Sequence, residues 1–170
     1  MLNEALMSSE SEHWNTPGAF IDLVRAVSPI ALDPCSNEGS LVQAERSICL
    51  PEDGLRADWF ELSRFENQTS AGLVYVNPPY GSKQREFLRK CAAEAERGCE
   101  IVALIPARTD TMVFQRTVFA TAKAICFYAG RLKFEGAPGS APFPSAVVYW
   151  GQRRERFNEV FATYGKVINL

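Results

Sequence analysis

The chain has 170 residues, enough for one folded domain that removes roughly two-thirds of its unfolded surface from water. With 46% hydrophobic and 22% charged residues it has the make-up of a soluble globular protein; it lacks both an apolar run of the roughly 18 residues a membrane span needs and a charged-then-apolar export signal, so the cytoplasm is its expected compartment. Its net charge of −2 conceals an asymmetry: residues 1–66 carry twelve acidic and four basic side chains, residues 67–170 eight acidic and fourteen basic, so one half suits a cationic ligand and the other a phosphate backbone.

Residues 1–12 are polar and expected to fray. His13-Trp14-Asn15-Thr16-Pro17 then offers a cap and a proline suited to a first helical position, ahead of Phe20, Ile21, Leu23, Val24 and Val27 at helical spacing. The plain reading is a helix start, although a helix N-terminus beside a hydroxyl is also a place for a carboxylate. Ile30-Ala31-Leu32-Asp33-Pro34 reads as a short strand ending in a carboxylate, followed by the polar turn Cys35-Ser36-Asn37-Glu38-Gly39. Ser47-Ile48-Cys49-Leu50 is a candidate second strand. Beyond it, Glu52-Asp53-Gly54-Leu55, Asp58 and Trp59 supply carboxylates and an aromatic. A ribose diol or an adenine amino group needs an acceptor and the ring needs an apolar flank, and either Asp53 or Asp58 could be that acceptor. Residues 64–72 read as a loop.

Leu73-Val74-Tyr75-Val76-Asn77-Pro78-Pro79-Tyr80-Gly81 is the stretch on which the rest is organised. Four β-prone residues form a buried strand, and Asn-Pro-Pro ends it because neither proline can donate to a sheet ladder. Each residue before a proline is pushed out of the helical region, so the turn is stiff before any ligand arrives. The Asn77 side-chain carbonyl and the Pro78 main-chain carbonyl can both accept hydrogen bonds from one amino group, and Tyr80 offers a flat face to a ring. Two fixed acceptors favour the tetrahedral nitrogen that develops when an exocyclic amine attacks an electrophile. Such a device suits adenine N6 or cytosine N4; a proline-terminated strand without chemistry is the bland alternative.

Ser82 is a candidate cap for a helix reaching Gly98, with Phe87, Leu88, Cys91, Ala92 and Ala95 on one stripe. Of its early cations, Lys83 is nearest the motif and the best candidate for a phosphate contact; Arg85, Arg89 and Lys90 read mainly as a solvated face. Glu100 to Ile105 is a buried strand ended by Pro106. Ala107-Arg108-Thr109-Asp110-Thr111 then opens a helix with Asp110 as cap and Val113, Phe114, Val118 and Phe119 buried. A strand at 123–128 and a reversed last strand at 145–150 flank residues 130–144, where Arg131, Lys133, Phe134 and Phe143 mix cations with aromatics as a nucleic-acid surface does. Residues 153–164 read as a short closing helix. Alternating strands and helices predict an α/β fold with a doubly wound, mostly parallel sheet. Five cysteines with no C-x-x-C pair read as reduced, mostly buried thiols, and the single histidine, His13, anchors no metal site. There is no G-x-S-x-G and no Walker-type phosphate loop, which weighs against a serine hydrolase or a nucleotide triphosphatase.

Asn77-Pro78-Pro79-Tyr80 resembles the Asp/Asn/Ser-Pro-Pro-Tyr/Phe/Trp motif of S-adenosylmethionine-dependent amino-methyltransferases. The order aromatic-x-Thr-Pro, Leu-Asp-Pro, Asn-Pro-Pro-Tyr, Arg-Thr-Asp-Thr, Gly-Arg-Leu-Lys-Phe and Ala-Pro-Phe-Pro-Ser-Ala, roughly from Trp14 to Gly151, resembles phage-encoded DNA N6-adenine methyltransferases of the Dam type. The resemblance implies a Rossmann-like methyltransferase fold with an antiparallel last strand, a single domain over 1–170 with no separate target-recognition domain, and a bacterial host cytoplasm. It implies S-adenosyl-L-methionine as cofactor, held by Trp14, Thr16, Pro17, Asp33, Pro34 and, as the best match for the adenine contact, Asp53. A departure from the family pattern is Gly39 standing alone where two glycines are usual. The substrate implied is double-stranded DNA, held by Lys83, Arg108, Arg131 and Lys133, with neither a membrane nor an obligatory protein partner. The implied chemistry is base flipping, then direct in-line methyl transfer to adenine N6 at Asn77, Pro78, Pro79 and Tyr80, without a metal. Methylation of another amino group (cytosine N4, an RNA base or a protein glutamine) and a catalytically silent nucleic-acid-binding module are the alternatives. With no recognition domain, base specificity would come from loops such as 108–115 and 130–144.

Overall fold

The computed structural model describes residues 15–65 and 71–170, and in it the apolar runs pair into one seven-stranded sheet. β1 (Ile30–Asp33), β3 (Leu73–Val76) and β4 (Glu100–Pro106) are buried along their whole length, as strands covered by helices on both faces must be. With β2 (Arg46–Ser47), β5 (Ala124–Tyr128), β6 (Ser145–Trp150) and β7 (Gly165–Asn169), the order across the sheet is β2-β1-β3-β4-β6-β5-β7. The first four positions in that order pair in parallel; β6 runs antiparallel to β4 and β5, and β7 antiparallel to β5. Five strands therefore share one direction and two are reversed.

Side chains alternate between two apolar layers with the period of two that a strand imposes. On one face, α1 (Gly18–Val27) and α5 (Arg154–Phe161) bury Phe20, Ile21, Val24, Phe157 and Phe161 against Tyr75, Leu104, Val147 and Tyr149. On the other, α2 (Trp59–Leu62), α3 (Ser82–Glu96) and a π-helical turn at Phe114–Val118 that continues as α4 (Phe119–Thr121) bury Trp59, Phe87, Leu88, Cys91 and Phe114 against Val74, Val76, Ile101 and Val148. Among the described residues no helix is long and apolar enough to cross a membrane. All five cysteines are free thiols; Cys91, Cys99 and Cys126 are buried, and Cys35 and Cys49 partly so.

Several boundaries differ from the sequence reading, each for a local reason. The reversed strand at 145–150 is present but is not the last: β7 follows α5 and forms the edge beyond β5. Its mostly exposed run Gly-Lys-Val-Ile-Asn carries little of the alternation that marks a strand, and pairing with β5 alone makes it one. The second strand lies at Arg46–Ser47 and not at 47–50; Ile48 stays tied to Asp33 and Ser36 through its backbone outside the ladder. Ser82 does not cap α3. Gly81, at φ 93°, turns the chain through a left-handed conformation that glycine adopts without strain, and Ser82 is the first helical residue. Asp110 is exposed, and the cap is Thr111, whose hydroxyl lies 3.4 Å from the Phe114 N–H that donates to it. The closing helix is Arg154–Phe161, shorter than 153–164.

Glu94 is the charge hidden in the α3 stripe, 3% exposed. Its carboxylate accepts from Lys90 Nζ at 2.8 Å, Arg97 Nη1 at 3.0 Å and the Phe60 N–H at 3.3 Å, so it ties α3 to α2. Lys90 is accordingly no solvated cation; its ammonium also sits 5.1 Å from the centre of the buried Trp59 ring. Glu94→Ala should lower stability in urea unfolding by about 2–4 kcal/mol, because it strands the Phe60 N–H and a half-buried ammonium. Exposed Arg85→Ala should shift it by less than about 0.5 kcal/mol.

Candidate active site at the carboxyl edge of the sheet

From β1 the chain passes to its neighbour β2 on one side and then returns to β3 on the other. Loops leaving two such strands diverge at their carboxyl ends and open a crevice. Here it is a cleft of about 460 Å³, lined by Thr16 ahead of α1, Asp33-Pro34-Cys35 after β1, Glu52-Asp53-Gly54-Leu55, and Tyr75 with Asn77-Pro78-Pro79-Tyr80 from β3.

Asn77 leaves β3 where the two prolines end the ladder. Its Nδ2 donates to Thr16 Oγ1 at 3.2 Å, which leaves Oδ1 as the end of the amide that Thr16 does not engage. Thr16 Oγ1 is also 2.8 Å from the Tyr75 hydroxyl. Thr16 is 4% exposed and does not cap α1; Pro17 takes the cap position, and its carbonyl accepts the N–H groups of Phe20 and Ile21. Pro17 sets the helix start without lining the cleft. Trp14 lies outside the described residues. Tyr80, half-buried, meets Phe143 edge-on with ring centres 5.0 Å apart, and burial pushes its phenol above the usual range.

Asp33 ends β1 at 3% exposure. Its Oδ1 accepts the Cys35 N–H at 3.0 Å and its Oδ2 the Ser40 hydroxyl at 3.4 Å. Desolvation outweighs these hydrogen bonds and raises its pKa to about 6. The turn that follows is closed by side chains where a second glycine would otherwise serve: Asn37 Oδ1 accepts the Gly39 N–H at 2.9 Å, Asn37 Nδ2 donates to Asn15 Oδ1 at 2.8 Å, and Asn15 Nδ2 donates to the Gly39 carbonyl at 2.9 Å. The Asn15 backbone in turn pairs with Glu135, so one residue joins the α1 approach, this turn and the 130–144 loop.

The two candidate acceptors separate cleanly. Asp53 lines the cleft, its Oδ1 accepting the Leu55 N–H at 2.9 Å and its Oδ2 3.6 Å from Arg56. Asp58 lies away from it, capping α2 through the Glu61 N–H and pairing with Arg97 at 2.9 Å. Trp59 does not flank the cleft either; it is fully buried, and its indole N–H donates to the Gly54 carbonyl at 2.7 Å, holding that turn down from below. The apolar lining includes Val42, Ile48, Leu50, Leu55 and Phe87.

Among the expected DNA contacts Lys83 lines the cleft, whereas Arg108, Arg131 and Lys133 are exposed and do not. Along the 130–144 loop the cations alternate with Leu132 and Phe134, which point into the core at 6% and 2% exposure. Phe134 is therefore core and no surface platform. Tyr75 and Asn15 are the residues the sequence reading passed over; Tyr75 could have been found, because a strand places residues two apart on one side and Asn77 is two residues on.

Two substitutions test this geometry. Gly54→Ala puts a Cβ 2.0 Å from the Pro34 carbonyl oxygen, and should cost about 1–3 kcal/mol in unfolding experiments while spreading the Asp53 and Pro34 walls. Asp33 binds more protons folded than unfolded between pH 3.8 and about 6, so folding stability falls as pH rises through that window. Relative to Asp33→Asn, the parent protein should lose about 2 kcal/mol between pH 4 and pH 7, read by urea titration at each pH.

Comparison with known proteins places the chain. Residues 4–148 match the family model of DNA N-6-adenine-methyltransferase (Dam), and no individually curated protein matches the chain. The matched stretch is most of the 170 residues and contains every strand of the cleft, so the protein belongs to the DNA N-6-adenine-methyltransferase (Dam) family.

Proposed function

We propose that the chain methylates the N6 amino group of adenine in double-stranded DNA, with S-adenosyl-L-methionine as methyl donor. The observation that carries the reading is Asn77 at the carboxyl end of β3, lining the cleft together with Pro78, with its amide nitrogen bound to Thr16 so that its carbonyl oxygen is the end Thr16 does not engage. Two acceptors so placed bind the two hydrogens of an amino group and favour its nitrogen as it becomes tetrahedral. The prolines keep both acceptors in place.

The donor set fits the cofactor. Asp33 is a buried carboxylate with a raised pKa, which a cationic or hydrogen-bond-donating ligand relieves; Thr16 offers a hydroxyl, Pro34 a wall and Asp53 an acceptor at the far end. When bound, S-adenosylmethionine supplies a methyl group already activated by positive charge. Adenine N6 is out of reach within a duplex, so the base is flipped into the pocket, where Tyr80, braced by Phe143, stacks on it. Lys83 at the cleft, with exposed Arg108, Arg131 and Lys133, holds the phosphates. Helices on both faces and the reversed β6 between β4 and β5 support a Rossmann-like methyltransferase fold acting as a single domain.

Labelled S-adenosylmethionine and unmethylated duplex DNA, followed by nucleoside mass analysis, should yield N6-methyladenine, and Asn77→Ala should cut the rate about 100-fold or more. N4-methylcytosine would move the target to cytosine, and absence of transfer to DNA would overturn the reading. Affinity for S-adenosylmethionine should strengthen as pH rises from 5 to 7, because Asp33 must ionise to pair with it, and Asp33→Asn should abolish that dependence.

A further inference from the structure

An asparagine at the head of the motif poses a problem that an aspartate does not. The two ends of its amide have nearly the same shape, but one accepts hydrogen bonds and the other donates. Only the carbonyl can receive an amino group; turned around, the amide would point its own N–H groups at those of the incoming amine. Something must select the orientation.

The selector is at hand in Thr16. Its hydroxyl has one proton and two lone pairs. Tyr75, 1% exposed, has Thr16 Oγ1 as its hydrogen-bond partner among the described residues, and a buried phenol O–H needs an acceptor, so Tyr75 donates to Thr16. Asn77 Nδ2 donates to the same oxygen at 3.2 Å. Thr16 thereby receives from two donors, and its own proton is left for an acceptor in the cleft that it lines. Once a bound carboxylate takes that proton, the reversed amide would set Oδ1 against a lone pair. Tyr75 and Asn77 stand two residues apart on one side of the β3 path, so the strand itself fixes how Thr16 meets both.

We infer that Thr16, anchored on Tyr75, is a positioning residue that holds the Asn77 amide with its carbonyl oxygen toward the methyl-accepting amine, an inference that rests on the role proposed for Asn77. It makes Thr16 more than a cofactor contact: one oxygen links the seating of the cofactor to the readiness of the acceptor site.

The decisive experiment compares Thr16→Val in the parent protein and in an Asn77→Asp background. Both oxygens of a carboxylate accept, so an aspartate has no wrong orientation to adopt. Thr16→Val should lower kcat about 10-fold in the parent and less than about threefold beside Asn77→Asp, with any loss of S-adenosylmethionine affinity equal in the two. Tyr75→Phe should act in the same direction by a smaller factor. Equal kcat losses in both backgrounds would overturn the inference, since a packing or cofactor-binding defect ignores the identity of the acceptor. Orientation is also readable without turnover. In nitrogen-15 NMR with S-adenosylmethionine bound, the two Nδ2 protons of Asn77 should give sharp, separate signals that broaden or shift in Thr16→Val; unchanged signals would overturn the inference. A parent protein that transfers no methyl group would refute the functional reading alone, and the NMR comparison would still decide the hydrogen bond.

Discussion

β1 and β3 lie side by side in parallel, and that pairing forces two differently built loops to leave the sheet at the same edge. One begins with the Asp33 carboxylate and the other with the Asn77 amide. Neither side chain could be brought to the other by local sequence preference, since about forty residues separate them. The chain's detour to β2 opens the space between them, and Thr16 closes the circuit from the α1 side by binding Asn77 and Tyr75.

Three buried carboxylates show how the fold distinguishes chemistry from support. Glu94 faces Lys90, Arg97 and a backbone N–H; Glu100 receives the Tyr149 hydroxyl and Arg153 Nη1. Both are satisfied within the protein and knit elements together, Glu94 on the α2–α3 side and Glu100 below β6, where Arg153 also reaches Ser28. Asp33 has hydrogen bonds but, among the described residues, no cation beside it, and desolvation outweighs those hydrogen bonds to raise its pKa to about 6.

The charge asymmetry of the chain takes a spatial form along the same edge. Asp33, Glu52 and Asp53 from the acidic half line the cleft, while Lys83, at its rim, and the exposed Arg108, Arg131 and Lys133 come from the basic half. Along 131–134, residues alternate between water and the core, so Leu132 and Phe134 anchor the loop as Arg131 and Lys133 stay in water. The backbone bridge from Glu135 to Asn15, and the Asn15 side chain on Gly39, then connect that basic loop to the Asp33 turn.

Sequence alone determined what local chemistry dictates. The prolines after Asn77 had to end a strand, the apolar runs had to be buried strands, and Phe20 to Val27 had to form a helix face. Tertiary structure decided whatever depended on distant partners. Asp53 faces the cleft and Asp58 an arginine because of where α3 lies; Trp59 is buried because Phe87 and Lys90 of α3 pack on its ring while its indole N–H binds the Gly54 carbonyl. β7 exists because β5 offers an edge, and Phe134 is core because its loop folds back onto α1's approach. Thr16 could be read as the hydroxyl of a helix start, but its grip on Asn77 spans 61 residues of chain, and only packing brings so distant a pair within hydrogen-bond reach.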